Sequence, residues 1–341
     1  MTAEHRASGA AIGGRAATSL TVAICTHNRS KDLAGCLDSL IRQEIAGIKI
    51  LVIDSASSKE ERAGIAIATR DLPAVEVIRL DQPGISLARN AAAEAAETEW
   101  LGYIDDDIVV APDWVAQAKR LIADVPDSCA VIGGRVDPIF PEGADPVIGS
   151  RWRQILSLIQ VDGEGDRTDN AQIVSGNALF RRTALLAVGA FPPQLGRVGN
   201  ILLSGEEKLA IERLRAGGAR LHYSDRLRVG HKIPAARLDR KWAAQRAYWD
   251  GVTDQKIRRL QGEPAAFMQL AKMALALPIL ALAYPVRSPA QEFFLRFWYD
   301  VGFIRELFAS IKLEARQAPV HGGELGPRAR TQGQGTQVES L

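Results

Sequence analysis

Short apolar runs alternate with amphipathic stretches through the first 140 residues or so. Leu20–Thr26 (LTVAICT) is apolar and β-branched, the pattern of a buried strand. Ser30 then offers an N-cap, and Leu33, Cys36, Leu37, Leu40 and Ile41 recur on one face of a helix. Residues 48–54 (IKILVID) and 75–80 predict a second and a third strand, and the alanine-rich stretch 84–96 predicts a helix. Residues 100–104 (WLGYI) predict a fourth strand that runs straight into Asp105, Asp106 and Asp107. A further strand is expected at 130–136. Strands alternating with helices predict an α/β fold with a mostly parallel sheet and helices on both faces.

Ligands of such sheets sit beyond the carboxyl ends of the strands. Three polar clusters fall there: Thr26-His27-Asn28-Arg29, the run from Asp54 to Ser58, and the acidic trio. Beyond about residue 138 the alternation weakens. Residues 173–180 (IVSGNALF) look like a strand broken by Gly176, 209–215 like a helix that Gly217 and Gly218 end, and 220–231 like another strand. Four regions are expected: a flexible tail over 1–18, a catalytic domain over 19–260, an apolar and amphipathic helical segment over 261–313, and a disordered tail over 314–341.

Composition adds little to this picture. The chain has 341 residues, of which 47% are hydrophobic and 24% charged, so it reads as globular rather than disordered. A net charge of +2 makes no case for a nucleic-acid partner. Basic residues do cluster at Arg237, Arg240, Lys241 and Arg246, then at Lys256, Arg258 and Arg259, as a solvated face or a membrane-surface patch. The 3 cysteines show no metal-knuckle or redox spacing, and the N-terminus lacks the apolar run of a secretory signal, so a cytoplasmic setting is expected.

The chemistry starts with the acidic trio. Adjacent carboxylates at the end of a buried strand repel one another, and desolvation sharpens the repulsion, so a cation is expected beside them. Hard oxygen ligands suit Mg²⁺ or Mn²⁺, which bridge to phosphates. The other reading is an acidic loop capping the helix near Pro112 and Asp113. The first strand end carries no glycine, which argues against a dinucleotide-binding loop or a P-loop. Side chains would then bind the nucleotide, with Asp54 placed to accept from a base N–H or simply to form a turn. Glu206 and Glu207 precede an apolar helix; acids there favour the helix dipole, or one of them is a general base. His231 follows a strand and is either structural or a metal ligand.

Taken together, these residues carry a resemblance. THNR after the first strand, an aspartate after the second, PGISLARN (83–90), YIDDD, SGNALFRR (175–182), SGEEKLAIERLRAGG (204–218) and VGHKIP (229–234) follow the order seen in family 2 glycosyltransferases, the inverting enzymes of the GT-A fold. The resemblance spans roughly residues 19–251. It implies that Thr26, Asn28 and Arg29 line the nucleotide pocket, with Asp54 reading the base and Arg89 approaching the nucleotide or diphosphate. It implies Asp105 at the ribose or, through water, at the metal, with Asp106 beside it in the donor site. Asp107 would be the direct Mn²⁺ or Mg²⁺ ligand, His231 an additional one, and Asn177 would lie near the sugar or acceptor. Glu207 matches the catalytic aspartate of the family, with Glu206 beside it. The implied donor is a UDP-, GDP- or dTDP-linked sugar, and the acceptor a saccharide or a lipid-linked molecule.

The sequence departs from the family at His27, where tyrosine is frequent, at Asp54-Ser55-Ala56-Ser57, at Pro192, and at Glu206-Glu207 in place of Glu-Asp. Two other readings are weighed against it: a non-catalytic nucleotide-sugar-binding protein, and a sugar-phosphate nucleotidyltransferase. The second would need a glycine- and basic-rich loop after the first strand, and that loop is missing. The C-terminal region holds residues 265–284, apolar but broken by Lys272 and Pro278, and borderline for a membrane span. A second stretch puts Phe293, Phe297, Val301, Ile304, Phe308 and Ile311 on one helical stripe. Both could pack as core helices; the stripe suits peripheral attachment at the cytosolic face of a membrane.

Overall fold

The computed structural model describes residues 20–263 and 290–317, apart from 145, 147, 170, 171, 198 and 200. Nine strands among these residues form one sheet: β1 (Leu20–Thr26), β2 (Ile48–Ser55), β3 (Val75–Leu80), β4 (Trp100–Asp105), β5 (Ile108–Val110), β6 (Cys129–Ile139), β7 (Glu164–Asp166), β8 (Asn177–Arg181) and β9 (Arg220–Lys232). Their order is β3-β2-β1-β4-β8-β6-β9-β5, with β7 beside β9. The first four run parallel, as do β6 and β9, while β8, β5 and β7 pair antiparallel with their neighbours.

Alternation along each strand divides the core between the two faces. Every residue of β1 is buried. Leu20, Val22 and Ile24 face one side, where they join Leu33, Cys36 and Leu37 of α1 (Ser30–Ile41) and Trp114 and Leu121 of α4 (Trp114–Asp124). Ala23 and Cys25 face the other side, towards Ala88 and Ala92 of α3 (Ile85–Ala95), Leu185 of α6 (Arg182–Ala187) and Ile211 of α7 (Glu206–Ala216). The remaining helices are α2 (Lys59–Thr69), α5 (Ser150–Ile155), α8 (Arg240–Leu260) and α9 (Ala290–Gln317).

Several local features differ from the sequence reading. Ser30 is the first residue of α1 rather than its cap, and its N–H is satisfied by Glu61 Oε2 at 2.8 Å. The strand expected over 173–180 begins only at Asn177, after a turn through Ser175 and Gly176. A Cβ at Gly176 would stand 2.9 Å from Asp105 Oδ2, so the turn leaves room for that carboxylate. The short strand β5 was not expected, because three residues (IVV) carry no period of their own. It pairs with β9 so that Ile108 faces His231.

The basic stretch after His231 is helical, and it is not simply a solvated face. Asp239 caps α8 by accepting from Lys241 N at 2.7 Å and Trp242 N at 3.3 Å. Arg246 of this helix is buried. Helix α9 lies along α8 at very short range: a Cβ on Gly251 would come within 2.0 Å of the Tyr299 carbonyl oxygen, and one on Gly302 within 1.9 Å of that of Tyr248. Among the described residues no helix is long and apolar enough to cross a membrane. The apolar stretch 265–284 and the tail from 318 lie outside the described residues, whereas α9 continues to Gln317, past the start of the expected disordered tail.

Candidate active site

The carboxyl ends of β1, β2 and β4 open on a cavity of about 310 Å³, closed on its other sides by the first turns of α3 and α7 and by His231. Its size is within the range of small-molecule sites. Acids and arginines line it together: Asp105, Asp106, Asp107, Glu206 and Glu207 with Arg29, Arg89, Arg197, Arg237 and Arg246.

The three aspartates have different surroundings, although Asp106 and Asp107 share Arg29. Asp105 Oδ1 accepts from Arg89 Nη2 at 2.9 Å, and its side chain remains 40% exposed. Asp106 is buried beneath the pocket, where Thr26 Oγ1 donates to it at 2.8 Å and Arg29 Nη1 lies at 2.8 Å. Burial pushes its carboxyl up to about 7, against the pull of Arg29. Asp107 Oδ2 meets Arg29 Nη2 at 3.1 Å, His231 Nε2 at 3.4 Å and Arg237 Nη2 at 3.6 Å. Burial works to raise this carboxyl too, but the hydrogen bond and charge of His231, with Arg29 and Arg237, hold it well below the ordinary carboxylate range.

The β5–β9 ladder accounts for His231 standing beside Asp107. Lys232 N donates to the Asp107 carbonyl at 2.9 Å and Ile108 pairs with His231, so the residue after the trio fixes the imidazole opposite it. Arg237 Nη1 lies 3.1 Å from His231 Nε2. Among the described residues no three His, Cys, Asp or Glu side chains gather as a metal shell on their own. The pair Asp107 and His231 is the part of the site where a carboxylate and an imidazole face the same point.

At the opposite wall, Gly205 takes a left-handed conformation (φ 85°) that favours glycine and starts α7. Glu206 then turns into the protein, buried, and pairs directly with Arg89. Its other oxygen, Oε2, has no hydrogen-bond partner among the described residues. Burial and the neighbouring Glu207 push the Glu206 carboxyl up to about 7, with Arg89 opposing. Glu207 is half-buried on the cavity wall and forms no hydrogen bond or ion pair with a described residue. Arg89 is itself held from behind: Tyr103 Oη donates to its carbonyl at 2.7 Å, and Tyr103 packs edge-on against Phe180 and Phe191.

Other residues singled out in the sequence spend their polar atoms on the protein itself. Asn28 adopts φ 55°, which asparagine tolerates, and its Oδ1 accepts from Ser58 N at 2.8 Å. Its N–H reaches Ser57 Oγ at 3.0 Å, so it stitches the loop after β1 to the loop after β2. Asp54 is buried, accepts from Ser57 N at 2.9 Å and pairs with Arg79 from β3 at 2.5 Å, which is the turn-forming role. Asn177 is wholly buried and does not reach the cavity. Its Oδ1 accepts from Trp114 Nε1 at 2.9 Å, and its Nδ2 donates to the carbonyls of Arg135 and Leu227 at 3.0 and 2.7 Å. These three hydrogen bonds tie β8 to β6, β9 and α4. Arg89, expected near the nucleotide or diphosphate, lines the cavity and pairs with Asp105 and Glu206.

Sequence reasoning did not assign Arg197, Arg237 or Arg246 to the site. Arg246 Nη2 donates to Ser204 Oγ at 3.0 Å and Nη1 to the Leu202 carbonyl at 3.2 Å, and Arg246 pairs with Asp250. It thereby fastens the segment leading into Glu206. The visible signal was the basic cluster, but only the helical phase of α8 separates Arg246 from Arg240 and Lys241.

The model of the family described as Glycosyl transferase family 2 matches residues 21–189. The chain is similar to the glucosyl-dolichyl phosphate glucuronosyltransferase of Haloferax volcanii, 26% identical over 245 residues that cover 68% of this chain and 75% of that one. It is also similar to the succinoglycan biosynthesis protein ExoM of Rhizobium meliloti, 24% identical over 312 residues covering 86% and 94%. Among solved structures, mannosyltransferase PcManGT from Pyrobaculum calidifontis, in complex with GDP-Man and Mn²⁺, shares the fold at a TM-score of 0.52 and 15% identity, with 88% of each chain covered. Over residues 21–189 the chain belongs to glycosyltransferase family 2, and it is a glycosyltransferase with the GT-A fold.

Proposed function

We propose that the enzyme transfers the sugar to an acceptor hydroxyl in a single displacement, with inversion, and that Glu207 is the base. One observation carries this reading: Glu207, with no hydrogen-bond or ion-pair partner among the described residues, stands on the wall of the same cavity that holds Asp107, His231, Arg29 and Arg237. Glu207 takes the hydroxyl proton while the acceptor oxygen bonds to the anomeric carbon. The bond from that carbon to the nucleoside diphosphate breaks on the opposite face, and the leaving group departs with the electron pair. Arg29 and Arg237 face the charge that builds there, and preorganised groups of this kind contribute strongly to rate. Glu206 is a less suitable base because Arg89 already occupies one of its oxygens.

Asp107 and His231 fit Mn²⁺ or Mg²⁺. Asp107 is kept ionised, its Oδ2 lies 3.4 Å from His231 Nε2, and both side chains face the cavity. Two protein ligands are enough where donor phosphate oxygens and water complete the shell. Such an ion, when bound, acts as a Lewis acid on the departing diphosphate. The Mn²⁺ and GDP-Man of the mannosyltransferase with this fold support that assignment. Asp105 keeps an exposed carboxylate towards the donor and is the candidate ribose contact, with Thr26 and Asp106 lining the cavity and Asn28 and Asp54 holding the loops after β1 and β2.

The donor is proposed to be a UDP-, GDP- or dTDP-linked sugar, and the acceptor a saccharide, including lipid-linked ones, as the name of the Haloferax relative suggests. Work at the cytosolic face of a membrane fits α9. Its outward stripe runs through Phe297, Val301, Ile304 and Phe308, with Phe297 and Phe308 44% and 53% exposed. A panel of nucleotide sugars with Mn²⁺, Mg²⁺ or chelator tests the assignment. We expect Mn²⁺- or Mg²⁺-dependent turnover of one donor and its loss in Asp107→Asn. Turnover unchanged by chelator and by that substitution would overturn the metal assignment.

A further inference from the structure

We propose that Ser157 is a sugar-binding residue of the transfer site, its hydroxyl held out by a backbone conformation that glycine would adopt more readily. This rests on the transfer site proposed above and extends it to the recognition of the sugar.

Ser157 follows α5 and takes φ 58°, in the left-handed region. The backbone hydrogen bonds account for that conformation. Ser157 N donates to the Gln154 carbonyl at 2.9 Å, and Leu158 N to that of Arg153 at 3.0 Å. Together they form the Schellman ending of a helix, whose left-handed position is usually glycine and sometimes asparagine. A Cβ there crowds the following carbonyl and costs stability, so serine suits the turn less well than glycine would. Strain of this kind gathers where a side chain serves a ligand.

Ser157 has such a place. It is half-buried and lines the cavity, and its hydroxyl has no hydrogen-bond partner among the described residues. Ser175, buried on the same lining, is likewise without one. The other serines of the lining are spent on the protein: Ser55 Oγ accepts from Gly84 N at 3.0 Å, and Ser204 Oγ from Arg246 Nη2 at 3.0 Å. Strand β6 carries both free hydroxyls. Val136 N donates to the Ile159 carbonyl at 2.9 Å and Ile159 N to that of Val136 at 3.2 Å, which fastens the turn of Ser157. Earlier on the strand, a Cβ on Gly133 would come within 2.6 Å of Ile173, so this glycine leaves room for the segment that leads to Ser175.

Val136 and Val174 complete this part of the lining, which carries no charge. That suits a sugar ring, with hydroxyls at its rim and C–H groups on its faces, and not a diphosphate. A hydroxyl both donates and accepts, so it can meet either role of a sugar hydroxyl. The transferred sugar and an acceptor sugar share this chemistry.

The test uses the full chain with Ser157→Gly, Ser157→Ala and Glu207→Gln. Thermal unfolding reads the strain. Calorimetry with UDP-glucose, GDP-mannose and dTDP-glucose, each against its parent diphosphate, reads the transferred sugar. KM for octyl glycosides of glucose, galactose and mannose reads the acceptor. Ser157→Gly should raise Tm by about 1–3 °C by relieving the turn of its Cβ. It should also weaken sugar recognition about three- to tenfold, through one lost hydrogen bond. Ser157→Ala should show the same loss without the gain in Tm. Kd for the parent diphosphates should stay within about twofold. A loss confined to the nucleotide sugars assigns Ser157 to the transferred sugar, and one confined to the glycosides assigns it to the acceptor. A lower Tm in Ser157→Gly would overturn the proposal, since the hydroxyl would then serve the fold. Wild-type sugar affinity and KM in both Ser157 variants would overturn it too, and loss of transfer in Glu207→Gln would then leave the transfer reading standing. Wild-type transfer by Glu207→Gln beside a sugar-specific loss in Ser157→Gly would break the base assignment and keep the sugar site.

Discussion

Arg89 on α3 and Glu206 at the start of α7 are both buried and form a direct ion pair across 117 positions of sequence. Asp105 completes the link at 2.9 Å, so one arginine joins the end of β4 to the acids proposed for catalysis. Breaking a buried pair from one side leaves an unpaired charge, which costs about 3–5 kcal/mol, whereas replacing both partners by apolar groups is often neutral. Arg89→Met should therefore lose about that much stability in urea unfolding, and Arg89→Met with Glu206→Met should recover most of it. A loss below about 1 kcal/mol in the single variant would show that the pair is not holding α7.

The same pair gives a pH dependence of stability. The Glu206 carboxyl rises from its ordinary 4.5 to about 7 in the folded chain, chiefly through burial and Glu207. The folded state thus binds this proton more tightly than the unfolded state does. Its contribution is complete below the ordinary value and is lost as pH rises through about 7. Wild type should lose stability relative to Glu206→Gln between roughly pH 4.5 and pH 7. Parallel stability curves for the two proteins across that window would contradict the assignment.

Much of this site was legible in the sequence, and the limits have physical causes. The strand ends, the acidic trio and the Glu-Glu pair could be read because a buried strand and a helix start each leave a local pattern. Asp107 and His231, grouped by the resemblance, are neighbours at 3.4 Å, and the β5–β9 pairing brings them together. Asn177 and Arg89 were assigned to ligands because polar residues in family motifs invite that reading. Here both are buried and spend their polar atoms on the protein itself. Arg237 and Arg246 were missed because a sequence does not say which cations of a basic stretch turn inward, and Arg197 because it stands alone in PPQLGRVGN with no local pattern.

The contact between α8 and α9 depends on two glycines. A side chain at Gly302 would meet the Tyr248 carbonyl, a backbone atom that cannot swing aside. Gly302→Leu should cost about 1–3 kcal/mol or more through overpacking, and should expose α9 to limited proteolysis. Gly189→Ala, at a site where a Cβ meets only Arg213 Nη1 at 3.8 Å but φ is 83°, tests backbone strain alone and should leave α9 protected. Equal protection of α9 in both variants would mean that this contact does not secure the helix.

Membrane contact through α9 predicts a specific loss. Phe297→Ser with Phe308→Ser removes the two most exposed aromatic side chains of the stripe. Burying a phenyl ring in the interface contributes about 1.5–3 kcal/mol, so affinity for anionic liposomes should fall about tenfold or more. Flotation of the variant at wild-type levels would remove α9 from any membrane role.

The central claim is that Glu207 takes the acceptor proton in a cavity whose donor side it does not touch. Single-turnover transfer by Glu207→Gln, with donor Kd measured in parallel, tests it most directly. The account predicts a rate lower by about 10²–10⁴-fold with donor affinity within about twofold of wild type. Transfer at the wild-type rate, or an equal collapse of donor binding, would contradict it.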